Sequence, residues 1–591
     1  MNYKKVVEGT FLSRPNRFIA HVLIDGQEEV VHVKNTGRCK ELLQDHATVY
    51  LADEGNLARK TRYDLIAVEK NGRMINMDSQ APNQAVKEWI EAGNFVQNIT
   101  YFKPEFSYGD SRFDFYVESG ERQIFLEVKG VTLEQDSVVS FPDAPSERAI
   151  KHLKELESLV KKGYEAYVLF VIQMNQVSYF LPNRERHPEF AKALESAAFA
   201  GVKVLAYDTI VTKDSMEIQS SVPVFVSATA SMIDSITPLM KWYEAGHRSL
   251  PWRENPSPYY VWLSEIMLQQ TRVEAVKPYF KRFLEKLPTI EALANAEEEV
   301  LLKLWEGLGY YNRVRNLQKA ACQIQNDYSG QMPSDWLELQ KLSGIGSYTA
   351  GAIASIAFGQ RAPAVDGNVL RIFSRLLCIE EEISNPEVKK QLERQILEII
   401  PEEKPGEYNQ ALMELGAMVC LPNGMPKCEI CPWERLCKAH AMGVEQEYPK
   451  KAPKKDRSIE KKTILLIQDA ETYAVHKRPP KGLLASLYEF PSLEGHKSEK
   501  AVVSYLKSIG LQPLRIQKLE NAKHIFTHKE WHMLGYKIQV DELSERAVSS
   551  DLKWIFVKTN EAQEKYPLPS AFRTYTDYLQ IRQGKQNLES Q

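Results

Sequence analysis

Long apolar runs are missing from this sequence: no stretch is long and apolar enough to span a bilayer, so no membrane association is expected. An excess of one charge is missing too. Seventy-five Lys and Arg stand against 78 Asp and Glu, for a formal net charge of −3. No global basic field therefore advertises nucleic acid, and any such binding must come from local patches. No signal-peptide pattern opens the chain, which runs from Met1 to Lys5 straight into mixed polar sequence. A cytoplasmic protein is expected. Cysteine is scarce: seven in 591 residues, an odd number, with four crowded into positions 420–437. That argues against a disulfide framework and suits metal ligation in a reducing compartment. What remains is an ordinary globular composition, 43% hydrophobic and 26% charged, long enough for several domains that each bury a core.

The most informative stretch is 342–368, LSGIGSYTAGAIASIAFGQRAPAVDGN. It opens with a Gly-rich turn around Gly344 and Gly346, with helical patterning on both sides. A turn that opens a helix leaves backbone N–H groups pointing outward, and the helix dipole adds positive potential, so a phosphate is a natural ligand. The two glycines let a bulky anion approach the backbone. Asp366 follows eighteen residues after Tyr348. A carboxylate beside a bound phosphodiester repels it and needs a chemical reason to be there.

The N-terminal 80 residues read as short strands with turn signals, a small β-barrel of a kind that often binds oligonucleotides and as often binds nothing of the sort. A mixed α/β pattern follows to about 215. Within it, Glu127 and Lys129 point the same way along a strand, and Asp114 belongs to the preceding strand. An Asp and a Glu together can hold a hard divalent cation such as Mg2+, and a Lys can orient a water. The alternative is a solvated sheet face. Residues 213–231 lose periodicity and read as a linker, assigned to 216–231.

From 232 to 445 the pattern is helical. Residues 250–253 read as the end of one helix and 262–273 as the start of the next. Glu265 lies there between Leu263 and Ile266. A carboxyl in apolar surroundings is desolvated, its pKa rises, and it can serve as a general acid near neutral pH. Gln269 and Gln270 carry amides suited to reading base edges or filling a vacated base stack. The cysteines at 420, 428, 431 and 437, without an interleaved histidine, suit a 4Fe–4S cluster or a structural zinc. A basic, Pro-containing linker spans 446–462, and strand patterns resume over 463–580.

Two resemblances sharpen these readings. NTGR (35–38), SRFD (111–114), LEVKGVTL (126–133) and FPDAPSER (141–148) resemble the sugar fermentation stimulation family, which implies an oligonucleotide-barrel-like (OB-like) domain over 1–80 and a nuclease-like α/β domain over 81–215 with suspected DNA binding. SEIMLQQTRVEAVKPYF, WEGLGYYNRVRNL, LSGIGSYTAGAIAS, AVDGNVLRIFSRL and NQALMELGAMVC resemble the adenine DNA glycosylase family of the helix-hairpin-helix superfamily. The multidomain fold class implied is therefore barrel, nuclease-like domain, all-α glycosylase with an iron–sulfur loop, and an α+β nudix-like domain.

That second resemblance implies hydrolysis of the bond between adenine and its sugar in duplex DNA, opposite 8-oxoguanine or guanine. Glu265 would act as the acid, Asp366 would stabilise the cationic sugar, and Tyr348 and Asn368 would position reacting groups. Bifunctional relatives carry a nucleophilic Lys just after the hairpin glycines. Tyr348 stands in its place and cannot form a Schiff base, so a monofunctional enzyme is expected. Arg253, Gln269, Gln270, Tyr310 (as a wedge), Gly344 and Gly346 are the expected DNA contacts. The cluster is implied to be 4Fe–4S, although the first gap holds seven residues, 421–427, where the family has six. The last domain lacks the acidic helix of a working nudix hydrolase; Phe526, Thr527 and His528 would sense 8-oxoguanine, with Thr527 where the family has Ser. A monomer, nucleoid-associated through DNA, is expected. The rival class is a DNA-binding or regulatory protein, or a metal-dependent nuclease, carried by residues 1–215.

Overall fold

Alternating short strands at the N-terminus close on themselves. Strands β1 (Val6–Asn16), β2 (Ile19–Ile24), β3 (Gln27–Val33), β4 (Thr48–Asp53), β5 (Tyr63–Lys70) and β6 (Arg73–Asn76) run in the order β3-β2-β1-β4-β5-β6, and a β3–β5 pairing shuts a five-stranded barrel. Val22, Val31, Val49, Leu51 and Leu65 fill it. The computed structural model describes all residues except 36, 38, 54, 56–58, 110, 454–455, 544–552 and 582–591; Thr36 and Arg38 of the first motif lie outside the described residues. The chain divides into two units, Met1–Ile233 and Asp234–Gln591. Among the described residues no helix is long and apolar enough to cross a membrane.

After the barrel, helix α1 (Ala81–Glu91) leads to β7 (Tyr101–Tyr108), β8 (Ser111–Ser119) and β9 (Arg122–Val131). A small three-stranded sheet combines β10 (Leu133–Gln135), β11 (Val138–Phe141) and β13 (Tyr179–Pro182), with β12 (Glu165–Ile172) between them in sequence. Helix α2 (Glu147–Lys161) starts where Ser146 Oγ accepts from Ala149 N at 3.2 Å, and α3 (Pro188–Phe199) packs beside it. The main sheet has the order β15-β14-β12-β9-β8-β7, with β14 (Lys203–Val211) and β15 (Met216–Ser221) at one edge. α1 covers one face and α2 the other.

This corrects the linker expected over 216–231. Met216 and Ile218 are buried, β15 pairs antiparallel with β14, and Val222, Val226 and Ala228 remain in the interior. The alternation of buried and exposed residues along 216–219 is that of a half-buried strand.

In the second unit, the helix Pro258–Leu268 is capped by Ser257 and has Pro at its first position. Residues 251–254 begin a short helix and do not end one; Leu250 is its N-cap. Glu265 therefore sits in the second half of its helix, with Val261, Trp262, Leu263, Ile266 and Met267 buried around it. The hairpin joins Trp336–Leu339 to Ser347–Phe358, and Gly367–Leu377 follows with Asp366 as its N-cap.

The C-terminal sheet is built on a long parallel pair, Ser458–Asp469 with Lys529–Val540. The last residues of the expected basic linker, 458–462, thus belong to its first strand, while Lys454 and Lys455 lie outside the described residues. Helix Glu499–Ser508 covers one face, with Val502 and Leu506 in the core; Phe572, Tyr575 and Leu579 cover the other.

Candidate active site

Glu265 and Asp366 come from helices separated by about a hundred residues of chain and line one cavity of about 1150 Å³. That exceeds the usual 300–1,000 Å³ of a small-molecule pocket and is ample for an extruded nucleoside. Tyr348, Asn368, Gln269, Gln270 and Arg253 share its wall.

The Tyr348 hydroxyl donates to Glu265 Oε2 at 2.6 Å. Glu265 is only 5% exposed, and burial pushes its carboxyl up to about 7. The Tyr348 hydrogen bond pulls the other way, nearby Asp366 raises it further, and Arg253 lowers it. Asp366 faces opposing influences. Burial dominates and raises its pKa, while Asn368 N at 2.9 Å, Val369 N at 2.8 Å and Asn368 Nδ2 at 2.7 Å donate to its carboxylate and offset part of that rise. A helix N-terminus adds positive potential. Two carboxyls in different environments make the division of labour of an acid and a charge stabiliser.

Arg253 was expected at the DNA. Its guanidinium donates to Glu414 at 3.0 Å and to Arg248 O at 3.1 Å, and Arg248 also pairs with Glu414. It lines the cavity as part of a buried ion-pair group near the acid. Gln269 Nε2 reaches Thr349 Oγ1 at 3.5 Å; Gln270, at φ 58°, is exposed. Arg313 ties this corner together, donating to the carbonyls of Ile266, Met267, Gln269, Leu308 and Gly309. Sequence reasoning missed the placing roles of Arg313 and Glu414, since each acts on residues distant in the chain.

Tyr310 is half exposed, at φ 49°, and its hydroxyl lies 3.5 Å from Thr527 Oγ1. Thr527 and His528 are exposed in the turn between strands Ala522–Ile525 and Lys529–Val540, where Phe526 packs edge-on against Trp531. The wedge candidate and the lesion-reading candidate therefore meet. The two hairpin glycines differ. Gly344 has φ +76°, and a Cβ there would stand 2.6 Å from the Asn316 Cβ; around Gly346 there is open space.

Cys420, Cys428, Cys431 and Cys437 line one small cavity and none is in a disulfide. Burial, and then neighbouring groups that include the other thiols, push Cys431 up to about 12 and Cys428 to about 11. Arg375 donates to Cys420 Sγ at 3.2 Å. His440 and Glu445 stand against Cys428, their ligand atoms all within 4.8 Å of one another.

In the first unit, Glu127 is 2% exposed. Its Oε1 accepts from Lys129 Nζ at 2.5 Å and bonds His152 on α2, while its Oε2 is buried without a partner. Asp114 accepts from Asn83 Nδ2 and Val128 N, both at 2.8 Å, one step beyond the paired Phe115 and Leu126. Burial and the charge of Glu127 raise its pKa. His152, twenty-five residues on from Glu127, carried no signal in sequence.

A glycine hairpin feeding a helix, a desolvated acid and an Asp-capped helix around one cavity define a helix-hairpin-helix DNA glycosylase, here behind a barrel and a nuclease-like domain. Family models agree: "SfsA N-terminal OB domain" matches 12–77, "Sugar fermentation stimulation protein RE domain" 80–215, "HhH-GPD superfamily base excision DNA repair protein" 263–399 and "NUDIX domain" 463–578. A sugar fermentation stimulation protein homolog of Clostridium beijerinckii is 54% identical over 226 residues, 38% of this chain and 100% of its own length. The adenine DNA glycosylase of Mus musculus is 33% identical over 402 residues, 58% of this chain and 78% of its own. A solved non-covalent endonuclease III–DNA complex is 28% identical, covering 36% of this chain and 96% of that one, with a TM-score of 0.32. The chain belongs to the adenine DNA glycosylase family through its second unit and to the sugar fermentation stimulation family through its first.

Proposed function

We propose that the second unit hydrolyses the bond between adenine and deoxyribose where adenine lies opposite 8-oxoguanine or guanine in duplex DNA, in base-excision repair. The observation that carries this is the shared cavity of Glu265 and Asp366. The target nucleotide leaves the stack and enters that cavity. Glu265, protonated near neutral pH, delivers its proton to the imidazole-ring nitrogen of adenine and makes it a leaving group. The bond to the sugar then breaks toward an oxocarbenium-like state, which Asp366 stabilises electrostatically or by a transient bond. Asn368 holds Asp366 in place, and Tyr348 holds Glu265. Water, activated by Glu265, completes the reaction. Tyr348 offers no amine, so the strand is not cut by that route and the product is an abasic site. Lesion preference would come from the turn bearing Thr527, which keeps a hydroxyl. Gly346, with open space around it, suits a phosphate.

The four thiols fit a 4Fe–4S cluster: an all-sulfur donor set facing one cavity with a cationic Arg375 beside it. Cys420, Cys428, Cys431 and Cys437 would hold it, and its part here is to order the 420–437 loop. Cys428, His440 and Glu445 make the competing mononuclear site. Iron and inorganic sulfide in equal amounts, without zinc, support the cluster. Base release from a lesion-containing duplex, revealed by alkali, tests the activity; turnover retained by Glu265→Gln sinks the acid assignment. We expect a monomer in the cytoplasm.

A second reading is favoured by one observation in the first unit: the unpartnered buried Oε2 of Glu127 beside Asp114. With Lys129 these residues form a nuclease-like set that would hold a divalent cation such as Mg2+ against a phosphodiester. Incubating the full chain with magnesium and an abasic duplex tests it. Cleavage lost in Lys129→Ala supports a nuclease, and no cleavage leaves a DNA-binding module.

A further inference from the structure

The stretch Trp305-Glu306-Gly307-Leu308-Gly309-Tyr310-Tyr311 carries an acid that the chemistry above does not use. Two glycines in the left-handed region, Gly307 at φ +99° and Gly309 at φ +71°, bend this stretch into the turn that presents Tyr310. The helical domain fixes both ends of it. Trp305 is fully buried, and the Tyr279 hydroxyl donates to the Glu306 carbonyl at 2.8 Å. Arg313 donates to the Leu308 and Gly309 carbonyls, both at 3.1 Å.

A buried carboxylate needs partners, and those of Glu306 lie on both sides of a domain boundary. Glu306 is 3% exposed. Its Oε2 meets Lys303 Nζ at 2.9 Å, one turn back in the helix Glu298–Leu304. Its Oε1 accepts from the backbone N–H of Leu568 at 2.9 Å, 262 residues on in the nudix-like domain. Lys303 Nζ also donates to the Ala562 and Tyr566 carbonyls of that domain, at 3.2 and 3.5 Å. A single ion pair thus grips the backbone of 562–568 at Ala562, Tyr566 and Leu568.

That segment supports the lesion-reading turn. Leu568, Phe572 and Trp531 share one core. The Trp531 ring lies 6.0 Å from Phe572 and 4.9 Å from Phe526, and Thr527 follows Phe526 in the chain. Thr527 Oγ1 lies 3.5 Å from the Tyr310 hydroxyl. The path closes on itself: from Glu306 to Leu568, through Phe572, Trp531 and Phe526 to Thr527, and back to Tyr310.

We propose that Glu306 is a positioning residue for lesion specificity: with Lys303 it anchors the 562–568 segment to the Tyr310 turn, and so sets the lesion-reading turn against the wedge. The effect on specificity rests on the glycosylase reading above; the anchor itself rests on the geometry. Glu306 is not among the residues lining the cavity of Glu265 and Asp366, so its loss spares the chemical step. Other contacts hold the domain in place without it. Lys477 and Tyr488 reach Glu299 at 2.9 and 3.1 Å, and Arg315 donates to the Ala485 carbonyl. Removing Glu306 therefore loosens one segment of a domain that stays docked.

Hydrogen–deuterium exchange of the DNA-free full chain reads the anchor. Single-turnover base release from duplexes with adenine opposite 8-oxoguanine and opposite guanine reads the specificity. In Glu306→Ala, exchange over 562–572 should rise about tenfold and the ratio of the two rates should fall about tenfold, the worth of one hydrogen bond to a charged group, with the rate opposite guanine within about twofold of the parent. Glu306→Gln keeps an acceptor for the Leu568 N–H and should recover most of both losses. Exchange over 562–572 unchanged in Glu306→Ala overturns the anchor. Raised exchange with an unmoved ratio, or with both rates falling in step, leaves an ordinary buried ion pair and overturns the specificity role. A parent chain that releases no adenine fails the glycosylase reading instead; affinities for the two duplexes then replace the rates, and their ratio decides in the same way.

Discussion

The hydroxyl of Tyr348 donates to Glu265 Oε2 at 2.6 Å, the contact by which, in the mechanism proposed above, it would hold the acid. The bond favours the ionised form and partly offsets the burial that, on balance, holds the carboxyl at about 7. Tyr348→Phe should shift the descending limb of base release to higher pH and slow turnover about tenfold, the worth of one hydrogen bond to a charged group. Single-turnover rates from pH 5 to 9 check both. An unmoved limb would remove Tyr348 from this role.

The same carboxyl sets a stability difference. Its pKa is raised in the folded chain, from 4.5 to about 7, so ionisation opposes folding. Below pH about 4.5 the group is neutral folded or unfolded, and it costs nothing through this route. As pH rises from about 4.5 to about 7 the cost grows, levelling off at about 3 kcal/mol once both states are ionised. Glu265→Gln should therefore be more stable than the parent at pH 8 and lose that advantage at pH 5. Thermal melts at the two pH values read it. The gain comes with loss of base release, as for other groups held strained for function.

The hairpin glycines should separate by mutation. Gly344→Ala meets both a positive φ and the Asn316 side chain, and should destabilise the second unit by about 1–3 kcal/mol. Gly346→Ala meets open space and should melt with the parent, yet weaken duplex binding through crowding of the phosphate. Equal affinities for Gly346→Ala and parent would place the phosphate elsewhere.

Thr527 should tolerate Ser and not Val. Thr527→Ser keeps the hydroxyl that faces Tyr310, while Thr527→Val removes it at equal volume. The ratio of rates on adenine opposite 8-oxoguanine and opposite guanine should fall for Val alone. A ratio unchanged in Val would mean the lesion is read by other groups.

How much of this was legible follows from which contacts are local. The Gly344 turn, the Asp366 cap and the cysteine spacing are each written within a few residues, and they are readable there. Glu265 was recognisable by its apolar neighbours, but its place in the helix was not, because Pro251 and Pro258 both open helices where one was read as closing. The partners that hold the site, Glu414 beneath Arg253, Arg313 under the Gln269 corner and His152 on Glu127, meet only after folding. No local pattern marks them.

The strand Met216–Ser221 bears on anyone who would separate the two halves. A shortened chain stopping at 215 strips β14 of its neighbour and leaves a row of open amide and carbonyl groups, an invitation to self-association through added strands. A protein ending beyond Ala228, which is still interior, keeps that edge closed. Soluble expression of the shorter product at the yield of the longer one would show that the strand is dispensable.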